Sequence, residues 1–259
     1  ARGWFWETRR GGPMSEPMLT PAMTEYLAGL WKLENRGQPM TTGALASHLG
    51  VSDTAVSRMT KRLAAAGLVT HLPHQHIGLT DEGRQQGGRL VRHHRLLEVF
   101  LIQVFGFTWD QVDVEAHRME HGISEVVGNR MEEILGFPTQ CPHGDPIPGR
   151  DGAVPRYATR PLAEAEVGAA CIVRRIGNSG DAPLLRYLAE LGLRPGTSVT
   201  VQQRAPFKGP LHILVKDQAQ VVGHGVASLI WVEQVLVPAA WLRRQAARAR
   251  VRRALRALN

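Results

Sequence analysis

Seven residues, "EAHRMEH" from Glu115 to His121, hold two carboxylates and two imidazoles. Read as helix, His117, Glu120 and His121 stand at i, i+3 and i+4 and share one face. Carboxylate and imidazole donors in that arrangement suit a divalent cation. Upstream, "HHRLLEVFL" sets His94 and Glu98 four residues apart, a second half-site of the same kind. A single histidine on a helix face is ordinarily a surface residue, but two acid–imidazole pairs on consecutive helices point to metal. The same letters also satisfy the H-x-x-E-H pattern of inverted-motif zinc peptidases, in which Glu120 would be a general base. That alternative needs a downstream acidic ligand on a helix beside a substrate cleft. Here the downstream sequence turns to proline and then to an alternating β pattern.

These residues must be carried by helices, and the chain supplies them. Thr20-Pro21 opens a first helix with a capping residue and a first-turn proline, followed by apolar residues at near-helical spacing from Tyr26 to Leu33. "TTGALASHLGVSDTAVSRMTKRLAAAGLV" predicts two helices around a tight break at Gly50-Val51, with Ser52 capping the second and Gly67 ending it. "LVTHLPHQHIGLT" alternates on both sides of its tip, as a hairpin wing does. Residues 81–137 read as helical throughout. The proline-rich "FPTQCPHGDPIPGRDGAVP" cannot continue a helix and reads as an ordered turn leading into a linker. From about 158 to 237 the period changes to two, with strands in "GAACIVRRI", "TSVTVQQRA", "LHILVK" and "ASLIWVEQV" and one helix in "DAPLLRYLAEL", which suggests a small β-barrel.

The net charge is +8, with 31 basic and 23 acidic residues among 259. Seven arginines lie between Trp241 and Asn259, and Arg2, Arg9 and Arg10 lie in the first thirteen residues. Without both ends, 21 basic residues face 22 acidic ones, so the body is close to neutral. The opening "ARGWFWETRRGGP" reads as a flexible arm, a start-site extension or a fusion remnant, and is set aside from the fold. The basic tail is either a reinforcement of DNA or anionic-surface binding or a partly helical solvated end. No apolar run approaches the ~18 residues that span a bilayer. Two cysteines, Cys141 and Cys171, make a disulfide framework improbable and fit a reduced cytoplasmic setting.

Local charge says more than the total. No acid stands between Asp53 and Asp81, while Arg58, Lys61 and Arg62 do. Residues 41–80 therefore fit a winged helix-turn-helix that meets DNA phosphates. Thr54, Ala55, Ser57 and Arg58 are candidates for base edges, and Ser52, Lys61, His74 and His76 for the backbone. A helical hairpin with a solvated charged face is the plainer reading of the same residues.

"TEYLAGLWKLE", "HHRLLEVFL", "VEAHRMEHGIS" and above all "CPHGDPIPG" resemble, in order, the landmarks of the diphtheria toxin repressor and manganese transport regulator family. The likeness covers about residues 20–150, and "LAELGLRPGTSVTV" resembles the SH3-like barrel of its longer members. The resemblance implies a homodimeric, metal-activated transcription regulator of metal-ion homeostasis genes that binds operator DNA. It implies a mainly α fold with a small β part: a winged helix-turn-helix, a helical dimerisation domain and a C-terminal SH3-like (FeoA-like) β-barrel. The boundaries are a 1–19 arm, a 20–90 DNA-binding domain, a 91–150 dimerisation and metal-binding domain, a 151–238 barrel and a 239–259 tail. A primary site of Glu25, His117, Glu120 and His121 is implied, with His117 where members usually carry Cys or Glu. An ancillary site of His94, Glu98, Asp113 and Asp181 follows, with Asp113 where iron-responsive members have His.

Lacking thioether and thiol, the primary set favours Mn²⁺, with Fe²⁺ and Zn²⁺ as alternatives. In this reading Cys141 is structural in its turn, His143 stays at the solvent, and Trp109 and Phe105 belong to the dimer core. His71 and His93 are ordinary structural histidines. The expected partners are double-stranded operator DNA and a second copy, with no membrane, no small organic substrate and no enzymatic activity. The rivals are the zinc peptidase and a metal-independent DNA-binding protein.

Overall fold

In the computed structural model, residues 19–71, 76–155 and 157–235 are described. The arm at 1–13, the tail from 239 and the wing residue His74 lie outside them. The chain divides into two compact units between Val91 and Arg92.

The first unit opens with helix α1 (Pro21–Asn35), α2 (Thr42–Leu49) and α3 (Asp53–Ala65). Each begins where a hydroxyl accepts from a free backbone amide: Thr20 from Met23 N, Thr41 from Ala44 N and Ser52 from Ala55 N. Gly50 stands between α2 and α3 at φ +65°, a left-handed cap that a Cβ would disfavour. Strands β1 (Val69–His71) and β2 (Ile77–Leu79) pair antiparallel as the expected hairpin. Leu27, Leu30, Leu45, Val56, Leu63 and Ile77 form the sealed centre of this small core. Apolar burial of this kind contributes most of the stability of three short helices that would be marginal alone. Helix α4 (Asp81–Phe105) begins in this unit and ends in the second.

After α4 the second unit continues with α5 (Val112–Met119), a 3-10 turn (Glu120–Gly122) and α6 (Glu125–Ile134). The reading of 81–137 as helical throughout is therefore corrected at this point. The backbone tightens at Glu120, Ile123 is extended, and Ser124 caps a fresh helix through Val127 N. Ser124 supplies the physical reason, because its hydroxyl satisfies an amide better as a cap than inside a helix.

A six-stranded antiparallel sheet follows, ordered β3-β8-β4-β5-β6-β7: β3 (Arg160–Pro161), β4 (Ala170–Ile176), β5 (Ser198–Arg204), β6 (Leu211–Val215), β7 (Gln218–Val222) and β8 (Ile230–Gln234). Helix α7 (Ala182–Glu190) and the short α8 (His224–Ala227) accompany it. The sheet stays open, with β3 and β7 at its edges, so the SH3-like part expected from sequence is a barrel-like sheet that does not close. Strand β7 had no clear sequence signal. It forms because Lys216 and Asp217 both take positive φ, the geometry of a two-residue turn that matches strand twist.

The "CPHGD" turn is fastened to this sheet. Ile176 N donates to His143 O at 2.9 Å. Gly144, at φ +88°, lies so close to β4 that a Cβ would meet Arg174 O at 1.9 Å. Arg186 pairs with Asp110 at 3.0 Å, and the Arg194 guanidinium lies 4.4 Å over the Trp109 ring. Trp109 is buried in the sheet's core cluster rather than reserved for a dimer core. Phe105 is exposed.

Candidate metal centre

Glu98 is the hub. It projects from the middle of α4 and its side chain is only 2% exposed. Four residues earlier, His94 turns Nε2 toward Glu98 Oε1 at 3.3 Å and toward Asp113 Oδ1, on α5, at 3.5 Å. Donor atoms of His94, Glu98 and Asp113 all lie within 4.8 Å of one another. The sequence-expected ancillary residues are thus brought together, except Asp181. That carboxylate caps α7, accepting from Leu184 N at 3.0 Å, with Asn178 Nδ2 at 3.3 Å.

A second donor set shares Glu98. The Cys141 thiol and the His143 ring close on it, again within 4.8 Å. His143, expected at the solvent, is fully buried, because the turn that carries it is held under β4. Its Nε2 lies 2.7 Å from Trp109 O. A carbonyl can only accept, so Nε2 carries the hydrogen and Nδ1 is the atom turned to Glu98 Oε1 at 3.2 Å. Glu98 Oε2 and His143 Nδ1 are buried without a hydrogen bond. Buried, unpartnered ligand atoms of this kind are what a divalent cation would engage, so the residues present fit one. Sequence reasoning missed this set. Its one signal was a Cys and a His two residues apart in a proline turn.

His117, Glu120 and His121 form the third group. Glu120 is buried, with Oε1 2.8 Å from His117 Nδ1 and 3.9 Å from His121 Nε2. The two rings meet edge to face at 6.3 Å. Glu120 begins the 3-10 turn, and its carboxylate still meets both imidazoles. Glu120 points inward while the His117 side chain is 59% exposed. Glu120 Oε2 is also 2.8 Å from His94 Nδ1. Glu25 lies half-buried on α1 in the first unit.

Electrostatics follow from this crowding. Burial opposes a charge on His94, but hydrogen bonds to Asp113, Glu120 and Glu98 outweigh it and hold its pKa well above the ordinary imidazole value. Burial likewise works against ionised Glu98, yet His143 and His94 bring its carboxyl far below the usual carboxylate range. The ring of His94 lowers the Asp113 carboxyl too. Burial, and then the charges of Glu98 and Asp145, push the Cys141 thiol well up, so only a nearby cation would make it a thiolate.

On α3, Thr54, Arg58 and Lys61 are exposed, Ala55 and Ser57 half-buried, and Val56, Met59, Thr60 and Leu63 face the core. Ser52 Oγ accepts from Ala55 N as the cap, and its O–H can still donate to a phosphate. His76 is exposed at the start of β2. No helix among the described residues is long and apolar enough to cross a membrane.

Fold and site define a winged-helix DNA-binding chain whose helical segment gathers metal-ligand residues beside a small sheet. Comparison with known proteins agrees part by part. Residues 18–77 match the family described as "Iron dependent repressor, N-terminal DNA binding domain", residues 80–149 "Iron dependent repressor, metal binding and dimerisation domain", and residues 160–234 "FeoA domain". The iron-dependent repressor IdeR of Mycobacterium tuberculosis is 32% identical over 234 residues, covering 86% of this chain and all of that one. A solved "Manganese-dependent transcriptional repressor complex with manganese" is 36% identical with a TM-score of 0.76, covering 82% of this chain and 100% of that one. ScaR solved with bound Zn²⁺ is 30% identical with a TM-score of 0.69, covering 82% and 99%. The chain belongs to the diphtheria toxin repressor and manganese transport regulator family of metal-dependent transcriptional repressors.

Proposed function

We propose that this chain is a cytoplasmic homodimer that grips operator DNA when a divalent cation is bound, Mn²⁺ being favoured over Fe²⁺ and Zn²⁺. The observation that carries this reading is the convergence of His94 and Asp113 with the buried Glu98, Cys141 and His143, joined by Glu120 to His117 and His121. A cation there supplies positive charge against packed carboxylates and a fixed ligand geometry. His117, Glu120 and His121 hold the primary ion, and the family resemblance adds Glu25 from α1. Ligands drawn from α1 and from the α5 region would restrict the DNA-binding residues to the pose that fits two operator half-sites.

Three features support the finer points. His117, Glu120 and His121 offer imidazole and carboxylate, which manganese accepts, and a manganese-dependent repressor is among the similar structures. Zinc is the chief competitor, since ScaR binds it in the crystal. Val126, Val127, Ile134 and Phe137 are exposed in the segment matched to a dimerisation domain, an apolar patch suited to a second copy. In this reading residues 20–90 bind DNA through Ser52, Thr54, Ala55, Ser57, Arg58, Lys61 and the wing residues His74 and His76, residues 91–150 bind metal and dimerise, and 151–238 form the SH3-like part. Glu120 is a ligand rather than a peptidase base, because its two oxygens are engaged by His117 and His94 and it is buried.

The test is an operator-binding titration after dialysis against chelator, repeated with Mn²⁺, Fe²⁺ and Zn²⁺ added back. Affinity should vanish on chelation and return best with Mn²⁺. Affinity unchanged by chelation would favour a metal-independent DNA-binding protein instead.

A further inference from the structure

His94 stands between two donor sets and touches both through different ring nitrogens. Nε2 faces Glu98 and Asp113 at 3.3 and 3.5 Å, while Nδ1 lies 2.8 Å from Glu120 Oε2. An ionised carboxylate only accepts, so Nδ1 carries a hydrogen and donates it to Glu120. The other Glu120 oxygen, Oε1, is then the one turned to His117 Nδ1 at 2.8 Å. Glu120 sits on a 3-10 turn, where the following extended residue Ile123 ends helical support. Its carboxylate is oriented by its side-chain partners, and of the three histidines around it His94 is the least exposed.

We propose that His94 is a positioning residue for the His117–Glu120–His121 site, in addition to being a ligand on the Glu98 side. Its Nδ1–H pins Oε2 of Glu120 and leaves Oε1 to the ion, while its Nε2, once an ion displaces the proton there, serves the neighbouring cluster. One imidazole, fixed in one tautomer, thereby sets the geometry of two sites. The inference rests on the reading above that His117, Glu120 and His121 hold an ion.

Two substitutions separate the two roles. Asn carries its amide near the Nδ1 position and nothing at Nε2, whereas Gln reaches the Nε2 position without a donor at Nδ1. In calorimetric Mn²⁺ titrations of the full chain, His121→Ala first identifies which binding phase belongs to the His117 site. The His94→Asn protein should lose the other phase and keep this one. The His94→Gln protein should bind about 10- to 100-fold more weakly at the His117 site, the usual effect of losing a hydrogen bond that orients a ligand. Equal affinities at the His117 site in wild type and Gln variant would overturn the proposal, as would equal weakening in both variants. If His121→Ala removes no binding phase at all, the underlying site assignment fails instead. A measurement without any variant completes the test. Long-range proton–nitrogen spectra of the Zn²⁺-loaded wild-type protein should show hydrogen on Nδ1 of His94, and a bare Nδ1 would refute the idea.

Discussion

The Glu98 carboxylate and the His143 imidazole face each other across 3.2 Å, with side chains 2% and 0% exposed. A buried acid and base this close, with Glu98 Oε2 and His143 Nδ1 lacking hydrogen bonds, form an arrangement that burial alone would disfavour. A cation between them, His94, Asp113 and Cys141 would remove that conflict. Four consequences can be measured.

Replacing Cys141 by Ser takes away the one soft donor of the cluster. The Cys141→Ser protein should lose more affinity for Zn²⁺ and Cd²⁺ than for Mn²⁺, because thiolate favours softer ions. Competition titrations against a chelator give the ratio. With Co²⁺ the wild type should show a thiolate-to-metal charge-transfer band that the variant lacks. A wild-type Co²⁺ complex without that band would place the thiol outside the site.

An ion held at His94 would compete with protons for the ring. Its folded pKa is raised, so its ionised form stabilises the metal-free protein fully below about pH 6.5, and that contribution fades as pH climbs through the raised value. Metal uptake at Nε2 must expel this proton. Mn²⁺ affinity should therefore increase with pH over about pH 6 to 8, approaching tenfold per unit where one proton is released per ion. A flat profile in the wild type, or an unchanged slope in the His94→Asn protein, would contradict this assignment.

His48, on α2, moves the other way. Burial first, and then the charges of Lys32 and Arg36, lower its pKa to about 4. The unfolded chain takes up this proton near pH 6.5 and the folded chain does so only near 4, so stability falls as pH drops between those values. The loss is on the order of 3 kcal/mol at most. An NMR titration of the His48 ring should give a midpoint near 4, and the His48→Gln protein should lose part of its acid sensitivity.

Gly144 cannot accept a side chain. Its φ of +88° and the Arg174 carbonyl 1.9 Å from a would-be Cβ oppose one. The Gly144→Ala protein should be less stable by about 1–3 kcal/mol from backbone strain alone, plus the displacement of β4. Thermal unfolding would show the loss. Because His143 precedes it in the turn, the binding phase assigned to Glu98 and His143 should weaken as well. The His117 phase should hold.

The sequence by itself determined the local architecture. Thr20, Ser52 and Gly50 mark helix ends through hydrogen bonds and dihedrals that reach only three or four residues, so they are legible in the letters. The i, i+4 spacing of His94 and Glu98 is legible for the same reason, and "CPHGDPIPG" marks a turn because prolines cannot continue a helix. Only the tertiary structure decided that this turn lies under β4, buries His143 and brings it with Cys141 to Glu98. It also decided that Glu120 leaves the helix to meet His94, that Asp181 serves as a cap, and that the sheet stays open. Those outcomes depend on groups far apart in the chain competing for the same buried space and the same hydrogen bonds, and no local pattern records which of them prevails.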